Sequence, residues 1–192
     1  MIRSLALAAF VTAMPLSSAI AQSSLAIDFA DPASSDGWRV VNDGVMGGRS
    51  QGWLEFKGNA MIFQGTINTN GGGFSSIRNP VKRGTLGNAT GLRFRVRSDG
   101  RTYKATLRTN ATYYGRQISF QAELPTDASN DWQEVTVTFD DLKPSLFGRP
   151  VRGAKFNPAQ VRSMGIIIAD GIDGDFRLEI AAISALTEDG IT

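Results

Sequence analysis

The chain has 192 residues, 42% of them hydrophobic and 20% charged, which is enough for a domain with its own core and too apolar for a disordered chain. Its formal net charge is only +2, so no broad basic field points to nucleic acid as a partner. With neither Cys nor His, it excludes disulfides, Ser-His-Asp and Cys-His nucleophile systems, and the usual zinc, haem and iron–sulfur ligand sets, and no cofactor is indicated.

Residues 1–21 have the form of a signal peptide. Arg3 precedes a mostly apolar run, Leu5 to Ile20, that closes on Ala19-Ile20-Ala21. Thr12, Pro15, Ser17 and Ser18 interrupt the run, which disfavours a permanent membrane anchor. The expectation is cleavage before Gln22 and an exported protein, periplasmic or secreted, with residues 22–192 as one domain.

Next comes Trp38 to Ser50, a segment rich in glycine, amide and carboxylate groups, which reads as a loop. Trp53-Leu54-Glu55-Phe56 and Met61 to Gly65 read as a β-hairpin, because Gly58 and Asn59 between them tolerate the positive φ that a tight turn needs. A second loop, Asn68 to Arg78, carries three consecutive glycines, Gly71 to Gly73, followed by Phe74. Such glycines let backbone N–H groups approach a ligand, or serve bulges and tight crossings.

Leu92, Phe94 and Val96 alternate with Arg93, Arg95 and Arg97, giving one buried face and one cationic row. Tyr103 to Arg108 is expected to be its hairpin partner across Ser98-Asp99-Gly100-Arg101. Either carboxylates such as Glu123 or Glu134 stand opposite the arginine row, or the row joins Arg78 and Arg108 in an anion site.

Further strands follow at Ile118 to Leu124, Trp132 to Phe139, Gly165 to Ile168 (buried on both faces) and Phe176 towards Leu186. Pro158 to Val161 fits one helical turn. Asp170 to Asp175 has an acidic pattern but fails the EF-hand spacing, with Ile172 at the third position, so it reads as a turn and no metal ligand is assigned. About nine short strands without a long helical period predict an all-β, mainly antiparallel sandwich or jelly roll.

The run Asn42-Asp43-Gly44-Val45-Met46-Gly47-Gly48-Arg49-Ser50 resembles the signature of the complex I intermediate-associated protein 30 family. Gly72 to Arg78, Gly91 to Val96, Asp99 to Tyr103, Phe147-Gly148-Arg149, and Gly174 to Ile180 resemble that family's later segments, in its order. The resemblance implies a galactose-binding-like β-sandwich without catalytic residues. It also implies a role in assembling the respiratory NADH:ubiquinone oxidoreductase, from which an export signal departs.

The candidate binding residues are Asp43, Met46, Gly47, Gly48, Arg49, Ser50, Asn70, Phe74, Arg78 and Arg95. In the leading reading a protein partner, which includes a membrane or respiratory complex component, is held by the two glycine-rich loops. Met46 and Phe74 supply apolar contact, and Asp43 and Arg49 fix register or pair with each other. The alternative is a carbohydrate-binding module whose exposed Tyr113-Tyr114 tip stacks on a glycan. Nothing marks the paired carboxylates of a glycosidase.

Overall fold

The computed structural model describes residues 25–187, so the address read in residues 1–21 lies outside the described residues. In chain order the strands are β1 (Ala26–Asp28), β2 (Arg39–Asn42), β3 (Gln51–Lys57), β4 (Ala60–Ile67), β5 (Ser75–Pro80), β6 (Ala89–Ser98), β7 (Tyr103–Arg108), β8 (Thr112–Tyr113), β9 (Arg116–Gln117), β10 (Ser119–Glu123), β11 (Ser129–Thr138), β12 (Lys143–Leu146), β13 (Arg149–Pro150), β14 (Ser163–Ile168) and β15 (Gly174–Thr187). The first sheet has the order β11-β6-β15-β4-β3, with β1 beside the second half of β15. The second has the order β13-β12-β10-β7-β14-β5-β2, and β8 and β9 form a separate small hairpin. Every pairing between these strands is antiparallel, and the expected sandwich is the observed one.

Alternating side chains close the two sheets on each other. Leu92, Phe94 and Val96 face inward from the first sheet; Tyr103, Ala105, Leu107 and Ile166 face inward from the second, all essentially without solvent contact. Each large apolar side chain buried in this way stabilises the fold by roughly 1.5–3 kcal/mol. Edge-on aromatic contacts, Phe63 on Phe176 and Phe120 on Phe156, fix the packing further.

The β3–β4 hairpin forms as expected, with Lys57 opposite Ala60 and both Gly58 and Asn59 at φ near +60°. The expected β6–β7 hairpin does not form. β6 pairs with β11 and β15, while β7 pairs with β10 and β14 in the other sheet. The Asp99-Gly100 turn is therefore a crossover between sheets. Both strands have an apolar inner face, and alternation alone does not say whether two such strands lie side by side or face to face.

The expected strand count was also short, because parts of both glycine-rich loops are strands: Arg39–Asn42 is β2 and Ser75–Pro80 is β5. Their serine and arginine content hides them from a hydrophobic pattern. On β14 Gly165 and Ile166 are buried as expected, but Ile167 is half-buried. The turn at Pro158–Gln160 is a short 3-10 helix, capped by Asn157.

Candidate functional site

Between β2 and β3 the chain leaves the second sheet and enters the first through a 3-10 turn, Asp43–Met46, ended by Gly47 in the left-handed region at φ 88°. Asp43 has no solvent exposure. One carboxylate oxygen accepts the Ser50 N–H at 2.9 Å; the other accepts the Ser50 hydroxyl at 2.6 Å and the N–H groups of Gly73 at 2.6 Å and Phe74 at 3.2 Å. The Asp43 N–H in turn donates to the Phe74 carbonyl. Burial pushes the carboxyl pKa up, but the Ser50 hydroxyl and the backbone donors outweigh it and hold Asp43 below its ordinary value.

The glycines of both segments make room for this carboxylate. A Cβ on Gly48 would lie 2.2 Å from the Asp43 Cγ, and one on Gly72 would lie 2.3 Å from an Asp43 oxygen. Asn42 adds a second stitch across the sheets: its amide exchanges hydrogen bonds with both backbone groups of Gly52 on β3, and its oxygen accepts the Ser75 hydroxyl of β5. The structure thus brings Asp43, Gly48, Ser50 and the Phe74 backbone into one knot. Asp43 makes no ion pair with Arg49, which is exposed and has no ion pair among the described residues. Asn70 is exposed, and Phe74 is half-buried.

The knot pushes its apolar tip outward. Met46 is 58% exposed and lines a groove of about 620 Å³ with Tyr113, Tyr114, Arg116, Leu146, Phe147, Arg149, Pro150 and Val151. Tyr114 is 89% exposed and Phe147 62%, and both sit at positive φ, +48° and +50°. Non-glycine residues at positive φ are uncommon, and here they turn the aromatic side chains to the rim. Tyr113 and Tyr114 touch edge-on at 4.5 Å, and the Arg116 guanidinium lies 5.6 Å from the Phe147 ring. Among the described residues no carboxylate lines the groove. The sequence pattern flagged Tyr113-Tyr114 and Phe147-Gly148-Arg149 separately, but gave no sign that they meet Met46.

The arginines divide between two surfaces. Arg93, Arg95 and Arg97 lie on the outer face of the first sheet, where Arg95 stands opposite Glu134 on β11 and Arg97 pairs with Glu179 of β15 at 2.5 Å. Trp132 covers two of them, its ring 4.3 Å from the Arg97 guanidinium and 5.5 Å from that of Arg95. Glu123 is far from this row, opposite Lys104 in the other sheet. Arg78 and Arg108 lie on the outer face of the second sheet, so Arg95 does not share a site with them.

The acidic turn Asp170–Asp175 is held by protein donors. Arg101 makes a two-point pair with Asp170 at 2.7 and 2.8 Å and also donates to the carbonyls of Ile172, Gly174 and Asp175. Asp173 accepts the Thr69 N–H, and Asp175 accepts the Thr66 hydroxyl.

A family model described as Complex I intermediate-associated protein 30 matches residues 27–180. The mouse protein named Complex I intermediate-associated protein 30, mitochondrial, is 26% identical over 181 residues, covering 83% of this chain and 55% of the mouse one. A Caenorhabditis elegans protein named as a probable mitochondrial member is 34% identical over 103 residues, covering 53% of this chain and 30% of that one. The chain therefore spans about half or less of the length of these relatives. Among solved structures, the family 11 carbohydrate-binding module from Clostridium thermocellum, in complex with a mixed-linked tetrasaccharide, has a TM-score of 0.58 at 14% identity. It covers 79% of this chain and 89% of that one, a likeness of fold.

These relatives overturn the export expectation. They are mitochondrial proteins by name, so the signal-peptide, periplasmic and secreted assignments are withdrawn. The physical reason is that one cation ahead of a short apolar run is a pattern of composition, and composition alone does not fix which targeting machinery reads a segment. The buried carboxylate that ties the Asp43–Ser50 run to Gly73 and Phe74 lies inside the matched span, as do both sheets through Ile180, and the chain belongs to the Complex I intermediate-associated protein 30 family.

Proposed function

We propose that residues 22–192 form a non-catalytic binding domain that assists assembly of the respiratory NADH:ubiquinone oxidoreductase by holding a protein partner. The observation that carries this reading is the groove where Met46, Tyr114 and Phe147 stand exposed around one opening. Exposed large apolar side chains gathered at one place mark contact surfaces, and rigid aromatics with arginine are the residues that dominate such contacts. Arg116 and Arg149, with no carboxylate among the described lining residues, favour an apolar segment flanked by acidic residues. The family's association with a complex I intermediate supports the choice of partner. In this reading Asp43, Gly47, Gly48 and Ser50 shape the groove without touching the partner, and Met46 touches it.

The test is cross-linking capture from a respiratory-membrane fraction, comparing the natural chain with the double variant Tyr114→Ala, Phe147→Ala. Capture of complex I subunits by the natural chain, lost in a double variant that melts normally, is the expected result. Equal capture by both would overturn the groove as the contact.

A glycan reading has one observation in its favour. Trp53, half exposed on the outer face of the first sheet, borders a shallow pocket with Gln64, Asp99, Asp175 and Arg177. A polysaccharide pull-down with a signal that Trp53→Ala abolishes would favour this alternative over the protein partner.

A further inference from the structure

On the outer face of the second sheet, three arginines from three strands come together. Arg39 on β2 stands opposite Arg78 on β5, and Arg78 stands opposite Gly165 on β14. Gly165 stands opposite Thr106 on β7, and Arg108 follows two residues on, on the same face. Between Arg78 and Thr106 the row therefore passes through a residue with no side chain, which leaves a bare floor. Gly165 is required there by the backbone, since a Cβ would lie 1.9 Å from the Ile77 carbonyl oxygen.

None of the three arginines makes an ion pair among the described residues. Among the described residues the Nε–H groups of Arg78 and Arg108 are buried without an acceptor, and the Thr106 hydroxyl, on a residue only 5% exposed, is buried without a partner; Arg78 donates only from Nη2, to the Ser76 hydroxyl at 3.4 Å. Burial, with repulsion from Arg108 and Arg39, lowers the Arg78 pKa to about 10, which leaves it cationic at neutral pH, and burial lowers that of Arg108. A buried polar group without a partner is costly, and native structures that keep several at one place usually hold an ion or water there. The donors come from three strands and bring three arginines together. That suits an anion with several acceptor oxygens better than one with two.

We propose that this face binds a phosphate-type oxyanion seated over Gly165, with Arg39, Arg78 and Arg108 around it and the Thr106 hydroxyl beneath. None of these residues is among those that line the aromatic groove. The oxyanion is either a soluble phosphate ester or the headgroup of an anionic lipid, since the two present the same chemistry.

Calorimetric titration of the full chain with inorganic phosphate, at ionic strength held constant with sodium chloride, tests the site. Saturable binding is expected, weakened at least about tenfold in Arg78→Gln and in Arg108→Gln. Arg78→Lys, which keeps the charge and loses the planar fork, is expected to fall between the two and guards against loss of fold in the neutral variants. Sedimentation with phosphatidylcholine vesicles, with and without phosphatidic acid, separates the sources. Sedimentation that free phosphate reverses assigns a headgroup, and phosphate binding without sedimentation assigns a soluble ester. No saturable phosphate binding, equal binding by acetate, or unchanged binding in both Gln variants would overturn the proposal.

Discussion

Asp43 and the pair Arg78 and Arg108 are charged groups drawn out of water, and the fold treats them in opposite ways. Asp43 receives four donors, three of them backbone N–H groups or a hydroxyl within 3.0 Å, and its charge is fully answered by the protein. Among the described residues the two arginines keep buried Nε–H groups without acceptors, and Arg78 is repelled by both Arg108 and Arg39. Burial alone therefore does not separate structure from function. The separation lies in whether the protein supplies the counterpart. Arg95 and Arg97 on the first sheet fall on the answered side, through Glu134, Glu179 and Trp132, although the Arg97 Nε–H is also buried without an acceptor among the described residues.

The largest effect should come from the answered side. Asp43→Ala leaves the Ser50, Gly73 and Phe74 donors buried without an acceptor and should lower unfolding free energy by roughly 3–5 kcal/mol in urea titration. A loss under about 1 kcal/mol would show that the knot is not held by this carboxylate. The pH dependence has a definite sign. The folded pKa lies below the ordinary 3.8, so the stabilisation is complete above that value and disappears as pH falls through the folded pKa. Acid unfolding profiles of the natural chain and Asp43→Ala should therefore converge as pH falls through that folded pKa.

The next effect sharpens the same contrast at a buried pair. The side chains of Arg101 and Asp170 are only 13% and 5% exposed. Arg101→Ala strands Asp170 and frees three carbonyls, and should cost roughly 3 kcal/mol, with faster amide exchange in residues 170–175. Arg78→Gln should act in the opposite direction. Removing the middle charge of three should raise stability by roughly 0.5–1 kcal/mol in phosphate-free buffer, and added sodium chloride should stabilise the natural chain more than the variant. A destabilised Arg78→Gln would mean that the arginine is answered by contacts within the protein. The smallest effect is expected at Arg95, exposed on its sheet: Arg95→Ala should change stability by under about 0.5 kcal/mol in the same titration.

Much of the fold is legible in side-chain period. Leu92-Phe94-Val96 and Tyr103-Ala105-Leu107 each state which face is buried, and Gly58-Asn59 states a hairpin because both residues accept positive φ. β2 and β5 escape this reading. Arg39 and Arg78 are outward residues on edge-side strands, and Ser75 and Ser76 are buried serines that hydrogen-bond to Asn42 and to the Val41 carbonyl. A buried serine with a partner looks polar in sequence and behaves as core in space.

The candidate site divides in the same way. The Asp43–Ser50 run stands out by its glycines, but its chemistry depends on Gly73 and Phe74, about thirty residues away. Neither the meeting of Met46 with Tyr114 and Phe147 nor the placing of Arg39 beside Arg78 has any trace in local pattern.

By itself the sequence determined an all-β chain with alternating faces, glycine-marked turns, a family signature and the absence of thiol and imidazole chemistry. These are properties of single residues and of their spacing along one strand. Tertiary structure alone decided which strands share a sheet, which arginines find a carboxylate or a ring, and which exposed aromatics gather at one groove. Those outcomes depend on register between segments far apart in the chain, and a shift of a single position in that register sends every side chain of a strand to the opposite face.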